Sequence, residues 1–168
     1  VIVKIAELSG EVRRADFRAS ASALNASLAA GGGMHLRFDE DPEVVAEIYR
    51  HGTDVYFCGS VRGRVVSECP RCSDEFAWTM EREFKFLIVK EGGSDVPEED
   101  TGLDHYSGDE IDLAPLAGEQ AILGLDETVL CSESCKGLCS QCGANLNSET
   151  CDCRSVNPLN PFAALRRD

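Results

Sequence analysis

Eight of the nine cysteines in this 168-residue chain fall into four close pairs, and no other feature restricts the fold as strongly. Cys69 and Cys72 sit in CPRC, Cys131 and Cys135 in CSESC, Cys139 and Cys142 in CSQC, and Cys151 and Cys153 in CDC. A zinc ion takes four thiolates tetrahedrally at about 2.3 Å, and a two-residue spacing lets one tight turn supply two of them. The N–H groups of such a turn point at the sulfurs and stabilise their charge. Gly143, directly after Cys142, suits a backbone that must turn with positive φ. Four pairs are enough for two sites of four thiolates each. The preferred partition places Cys69, Cys72, Cys131 and Cys135 in one site and Cys139, Cys142, Cys151 and Cys153 in the other. The second set is consecutive and could close as an autonomous knuckle. The first closes a long loop. Cys69/Cys72 with Cys139/Cys142 is the next arrangement.

Metal competes here with other uses of thiols. In a reducing compartment, closely spaced cysteines serve as ligands or redox groups more often than as cross-links. An odd total of nine also fits poorly with complete pairing. Thiolates alone do not separate zinc from iron or an iron–sulfur cluster. A redox-active dithiol is a further reading. Residues 131–153 contain only Leu138 and Leu146 from the Leu, Ile and Phe set. So polar a segment lacks the apolar surface to fold by burial, whereas structural zinc contributes an apparent 10–16 kcal/mol (roughly) to folding. Two filled sites leave no open coordination position, and His35, His51 and His105 share no ligand-like spacing. The expectation is two structural zinc ions and no enzyme activity.

Around the cysteines the pattern predicts an α+β fold on an antiparallel sheet. Val55, Phe57, Val61 and Val65 alternate along one face; Phe76, Trp78, Met80, Phe84, Phe86 and Ile88 do so more strongly. Period-2 patterning of this kind indicates two half-buried strands, with CPRCSDE as their turn. Cys58, mid-strand, reads as a small buried hydrophobe. Residues 1–5 and 34–38 read as short strands. Asp41-Pro42-Glu43 reads as a helix start, with Gly52 as its end. Asp112 caps a predicted helix through Leu125, with Pro115 in the tolerant first turn. Asn160-Pro161 could start a short terminal helix presenting Phe162 and Leu165. The division is an α+β domain over 1–130, with an acidic loop at 91–110, and a Cys-rich zinc-ribbon-like module and tail over 131–168.

The net charge of −14 opposes nonspecific attraction to phosphate. Eight acidic residues fall in 91–110, which contains no Lys or Arg. That stretch reads as a solvated spacer. The chain has no apolar run of about 18 residues, the length a membrane span needs. Its start, VIVKIAELSG, is too short and polar for a secretory signal. The expected location is the cytoplasm, with no membrane partner.

CPRC before an apolar strand, a helix ending ahead of Leu130-Cys131, CKGLCSQCGANLNSETCDC and the terminal NPFAALRR together resemble the YceD-like family of large ribosomal RNA subunit accumulation proteins. The resemblance covers about residues 40–168 and is most specific across the second cysteine run. It implies a role in accumulation or processing of the large-subunit ribosomal RNA precursor, in bacteria and plastids. It also implies that some members keep the first Cys-x-x-Cys and a later Cys or His pair without the second cluster, which supports the preferred partition. Partners are then a ribosomal protein or assembly factor, precursor rRNA, or both. Direct RNA contact would use Arg62, Arg64, Arg71, Lys136 and Arg154; a protein adapter would use the metal modules and Phe162. A thiol redox switch without a direct rRNA role is the alternative.

Overall fold

The computed structural model describes residues 1–31, 35–91, 102–126 and 128–153. In chain order, β1 is Ile2–Lys4, β2 Arg13–Arg14, β3 Phe17–Arg18, α1 Ala21–Ala30, β4 Leu36–Phe38 and β5 Glu43–His51. Then come β6 Asp54–Glu68, β7 Glu75–Lys90, β8 Gly102–Tyr106, β9 Glu110–Asp112 and α2 Leu113–Leu123. The architecture is α+β, as expected. One sheet runs β2-β5-β6-β7-β8, with β3 also on β5 and β4 also on β6; β1 and β9 form a separate pair.

The hairpin β6–β7 is the spine. Its antiparallel ladder runs from Val55↔Ile88 to Glu68↔Glu75, because alternate residues on both strands are apolar and β-branched or aromatic. Phe57, Val61, Val65, Met80, Phe84 and Phe86 all point to one face and are buried. Phe57 and Phe84 meet at 4.9 Å between ring centroids, and Phe84 and Phe86 at 5.9 Å, distances at which tilted rings attract beyond simple burial. The helix α2 covers this face through Leu113, Leu116, Ala117 and Ala121, and α1 packs beside it through Leu24 and Leu28. Asp112 caps α2, its carboxylate accepting from Ala114 N–H at 3.1 Å.

Three expectations are corrected. Residues 43–51 form a strand where a helix start was expected. Buried Val44, Ala46 and Ile48 alternate with exposed Glu43, Val45 and Glu47, a period that buries one face of a strand and not of a helix. Asp41 does serve a helix, but a different one: its carboxylate accepts from Ala21 N–H at 2.8 Å, at the start of α1. Secondly, the acidic stretch is not all loop. Residues 102–106 pair parallel with β7, and 110–112 pair with β1; Tyr106 and Ile111 are buried. Residues 92–101 lie outside those described. Thirdly, Cys58 is not in the core. It lies half-buried on the opposite face from Phe57, between Glu47 and Lys85 on the adjoining strands. Burial pushes its thiol up.

Candidate metal centres

The spine ends in the CPRC turn, and this turn has a twin. Ser73 N–H donates to the Cys69 carbonyl at 2.8 Å, and Cys69 N–H donates to the Asp74 carbonyl at 2.9 Å. In the second turn, Gly143 N–H donates to the Cys139 carbonyl at 2.9 Å and Cys139 N–H to the Ala144 carbonyl at 2.8 Å. The residue after the second cysteine is left-handed in both, Ser73 at φ 60° and Gly143 at φ 74°. The two turns are the same backbone device. It folds N–H groups inward, so that Gln141 N–H reaches the Cys139 sulfur at 3.5 Å.

The first cluster combines the hairpin turn with the segment after α2. The sulfurs of Cys69, Cys72, Cys131 and Cys135 all lie within 4.8 Å of one another; Cys69–Cys135 is 3.8 Å and Cys72–Cys131 is 3.6 Å. Cys69, Cys72 and Cys135 are 1%, 3% and 5% exposed, and Phe76 and Leu130 pack against them. The second cluster joins Cys139, Cys142, Cys151 and Cys153, again within 4.8 Å. Its closest separations are 3.3 Å for Cys139–Cys151 and 3.5 Å for Cys142–Cys151, and Cys142 and Cys153 are exposed. All nine cysteines are free thiols. The separations are well beyond the roughly 2.05 Å of a disulfide. They approach the edge of about 3.8 Å that a tetrahedron of sulfurs at 2.3 Å must have. In size and donor chemistry, both groups could hold a metal ion.

The electrostatics point the same way. Burial pushes the Cys69 thiol up, but N–H groups of Cys131, Arg71 and Cys72 outweigh it and bring it down to about 6. Cys139 falls to about 6 through the N–H groups of Cys142 and Gln141. Cys151 accepts from Cys153 N–H, yet its neighbouring sulfurs push it up to about 12. Cys72 also rises, as burial and the sulfurs of Cys131, Cys69 and Cys135 overcome the Asp74 N–H. In each cluster one sulfur is favoured as the thiolate and a neighbour is pushed the other way. Four thiolates so close together require a cation between them.

Further residues complete the first cluster. Asn147 Nδ2 donates to the Cys135 sulfur at 3.4 Å, and this bond is the main reason that the Cys135 thiol is lowered. The Arg71 guanidinium donates to the Cys135 carbonyl at 3.2 Å. Asn145 Nδ2 donates to the Asp74 carboxylate at 2.7 Å. The sequence reading did not single out Asp74, Asn145 or Asn147. The available signal was NLN between the second cluster's pairs, a turn-prone asparagine pair close to the ligand cysteines.

Among the described residues, Arg62 and Arg64 lie on β6, while Arg71 and Lys136 lie at the first cluster. Arg62 and Arg64 are exposed on the outer face of β6. The register sets Arg62 between Glu43 and Glu81, and Arg64 pairs with Asp39 at 3.4 Å. Arg71 lies inside the first turn. Lys136, directly after Cys135, is exposed, and its backbone N–H donates to Asn147 Oδ1 at 2.8 Å. Arg154 and Phe162 lie outside the described residues, as do Asn160, Pro161 and Leu165. Among the described residues, no helix is long and apolar enough to cross a membrane.

The family model for "Large ribosomal RNA subunit accumulation protein YceD" matches residues 57–167, from within β6 past both cysteine clusters. The chain is similar to the chloroplastic large ribosomal RNA subunit accumulation protein YCED homolog 1 of Arabidopsis thaliana, with 26% identity over 138 residues, 66% of this chain and 43% of that protein. It is also similar to the protein of the same name from Zea mays, with 37% identity over 59 residues, 33% of this chain and 20% of that protein. The chain thus spans less than half the length of these relatives. No solved structure matches it. The family match covers most of the hairpin, α2 and every paired cysteine, and on that ground the chain belongs to the YceD family of large ribosomal RNA subunit accumulation proteins.

Proposed function

We propose that this protein is a non-catalytic, two-zinc factor that supports large-subunit rRNA accumulation by docking a basic ribosomal or assembly protein. The observation that carries it is the closure of eight thiols into two groups of four, with neither His nor carboxylate among the donors. Such a donor set holds zinc as a structural ion, with no coordination position left for water. The family name and the relatives' names supply the process; the chain's own residues would bind the ions and fix a surface.

Charge favours a protein partner over direct contact with RNA. Two dications on eight thiolates add four negative charges to the sequence's −14, giving −18 when loaded. Arg64 is paired with Asp39 and Arg62 lies in register between Glu43 and Glu81, so phosphate would meet carboxylates beside both. A strongly acidic body is attracted to basic proteins and speeds their capture. In this reading residues 131–153 form a zinc-ribbon-like module whose shape comes from its ions.

The test is elemental analysis of native protein together with a count of the thiols that a chelator exposes, followed by affinity capture from cells with and without nuclease. The expected result is two zinc ions, eight protected cysteines and a ribosomal or assembly protein retained after nuclease. Capture of precursor rRNA alone, with affinity falling steeply as salt rises, would replace the adapter by direct RNA binding. Thiols that oxidise reversibly while zinc leaves, with no ribosomal partner captured, would replace it by a redox switch.

A further inference from the structure

The loop that links the second cluster's two cysteine pairs also completes the surroundings of the first cluster. Asn147 grips it with both ends of its amide: Oδ1 accepts from Lys136 N–H at 2.8 Å, and Nδ2 donates to the Cys135 sulfur at 3.4 Å. Asn145 reaches the other side. Its Nδ2 donates to the Asp74 carboxylate at 2.7 Å, and Asp74 is the residue whose carbonyl holds Cys69 N–H at 2.9 Å. The two residues are themselves joined, since Asn147 N–H donates to Asn145 Oδ1 at 3.0 Å. Backbone contacts run alongside. Leu146 N–H donates to the Gly137 carbonyl and Leu138 N–H to the Arg71 carbonyl, each at 2.9 Å, and Leu138 and Asn145 form an antiparallel bridge.

We infer that the two metal centres are thermodynamically coupled through this loop, with Asn145 and Asn147 as the positioning residues that connect them. The inference rests on reading both clusters as metal centres. An ion in the second cluster fixes Cys142 and Cys151, the two ends of the loop, and therefore holds Asn145 and Asn147 where the first cluster needs them. With the second cluster empty, the first must order the same loop on its own. The entropy lost in ordering that loop is lost once when both ions are present. By linkage the help is mutual: whatever factor the second ion adds to the first ion's affinity, the first adds to the second's. Asn147 has an additional effect because its side-chain N–H points at a ligand sulfur, and partners of that kind tune affinity by about 10–100-fold.

The experiment uses the full chain loaded with zinc and a chromophoric chelator as competitor. Elemental analysis comes first: fewer than two ions per chain removes the metal reading and the coupling together. With two ions bound, the Cys142→Ser/Cys153→Ser double variant empties the second centre. Zinc in the first centre is then expected to pass to the chelator on the order of tenfold more readily than in the parent. Asn147→Leu alone should have a comparable effect, and in the double-variant background a smaller one than in the parent, because both changes release the same loop. Asn147→Asp keeps the acceptor for Lys136 N–H but sets a negative charge against the Cys135 sulfur. It is expected to weaken the first centre as well, which a role in shape alone would not do. Unchanged amide protection in β5–β7 verifies that each variant is folded. Two ions that leave independently, or effects of Asn147→Leu and the double variant that multiply in full, would overturn the coupling while leaving the metal reading intact.

Discussion

The two cysteine turns share a backbone and differ in what surrounds them. Both use the same pair of hydrogen bonds and a left-handed residue after the second cysteine. But the first is the tip of a hairpin anchored in the apolar core, and three of its cluster's four cysteines are buried. The second hangs on a polar stretch, and two of its four ligands are exposed. The same local geometry is therefore reached by two routes. In the first, the sheet holds two sulfurs in place before any ion arrives. In the second, the restraints are the turn's own hydrogen bonds and the contacts with the first cluster. A motif's spacing fixes its chemistry, while its setting decides how much of the order depends on the metal.

The largest test of that contrast is removal of metal. Because structural zinc contributes roughly 10–16 kcal/mol in small modules, chelation should abolish amide protection across residues 128–153. The β5–β7 ladder, with its own core, should keep its slow exchange. Hydrogen exchange followed by mass spectrometry reads both regions at once. Equal loss in β6 would show that the hairpin also depends on the ion.

Single ligand changes come next. Cys135→Ser leaves a hydroxyl in a buried sulfur cage and is expected to lower stability more than Cys153→Ser at an exposed edge, by about 2 kcal/mol or more. Thermal unfolding of the zinc-loaded variants decides the order; a reversal would mean that the exposed cluster is the stronger one. Glycine replacements are smaller. Gly143→Ala meets only the left-handed penalty of about 1–2 kcal/mol, since nothing lies within 4 Å of the added carbon. Gly137→Ala has the same φ of 74° and also brings Cβ within 3.0 Å of the Arg71 carbonyl, so it should cost more. That carbonyl accepts from Leu138 N–H, one of the contacts between the two clusters. The smallest effect is a gain. Ser73→Gly relieves a non-glycine residue at φ 60° and should raise stability by about 0.5 kcal/mol, after the greater flexibility of an unfolded glycine is deducted.

What the chain disclosed about itself followed the same division. Cysteine pairs and the alternation on β6 and β7 were legible because each depends on near neighbours: a turn of four residues, or a strand read two by two. The N-terminal third was legible only in its short strands, read at 1–5 and 34–38 and found as β1 and β4. Asp41-Pro42-Glu43 carries a sound helix-start signal, yet the period-2 burial of Val44, Ala46 and Ile48 against β6 overrides it. The Ala/Ser-rich stretch at 21–30 forms α1, with a side-chain cap from Ser20 and only Leu24 and Leu28 to bury, too few to give a helical period by eye. In the acidic stretch, Tyr106 and Ile111 were outnumbered by carboxylates, and their strands form only through β7 and β1, partners distant in sequence. Asn145 and Asn147 belong to the same class. Their role is set by Asp74 and Cys135, and no local pattern names those partners.

The long hairpin that carries Cys69 and Cys72 has one more consequence. Alternating apolar faces discriminate poorly between a correct pairing of β6 with β7 and one displaced by two residues, since both keep the oily side chains on one side. A displacement of that size moves a strand by roughly 7 Å, while the four sulfurs must stay within 4.8 Å of each other to share an ion. A misaligned hairpin would thus part Cys69 and Cys72 from Cys131 and Cys135, and an ion bound as proposed would favour the aligned register.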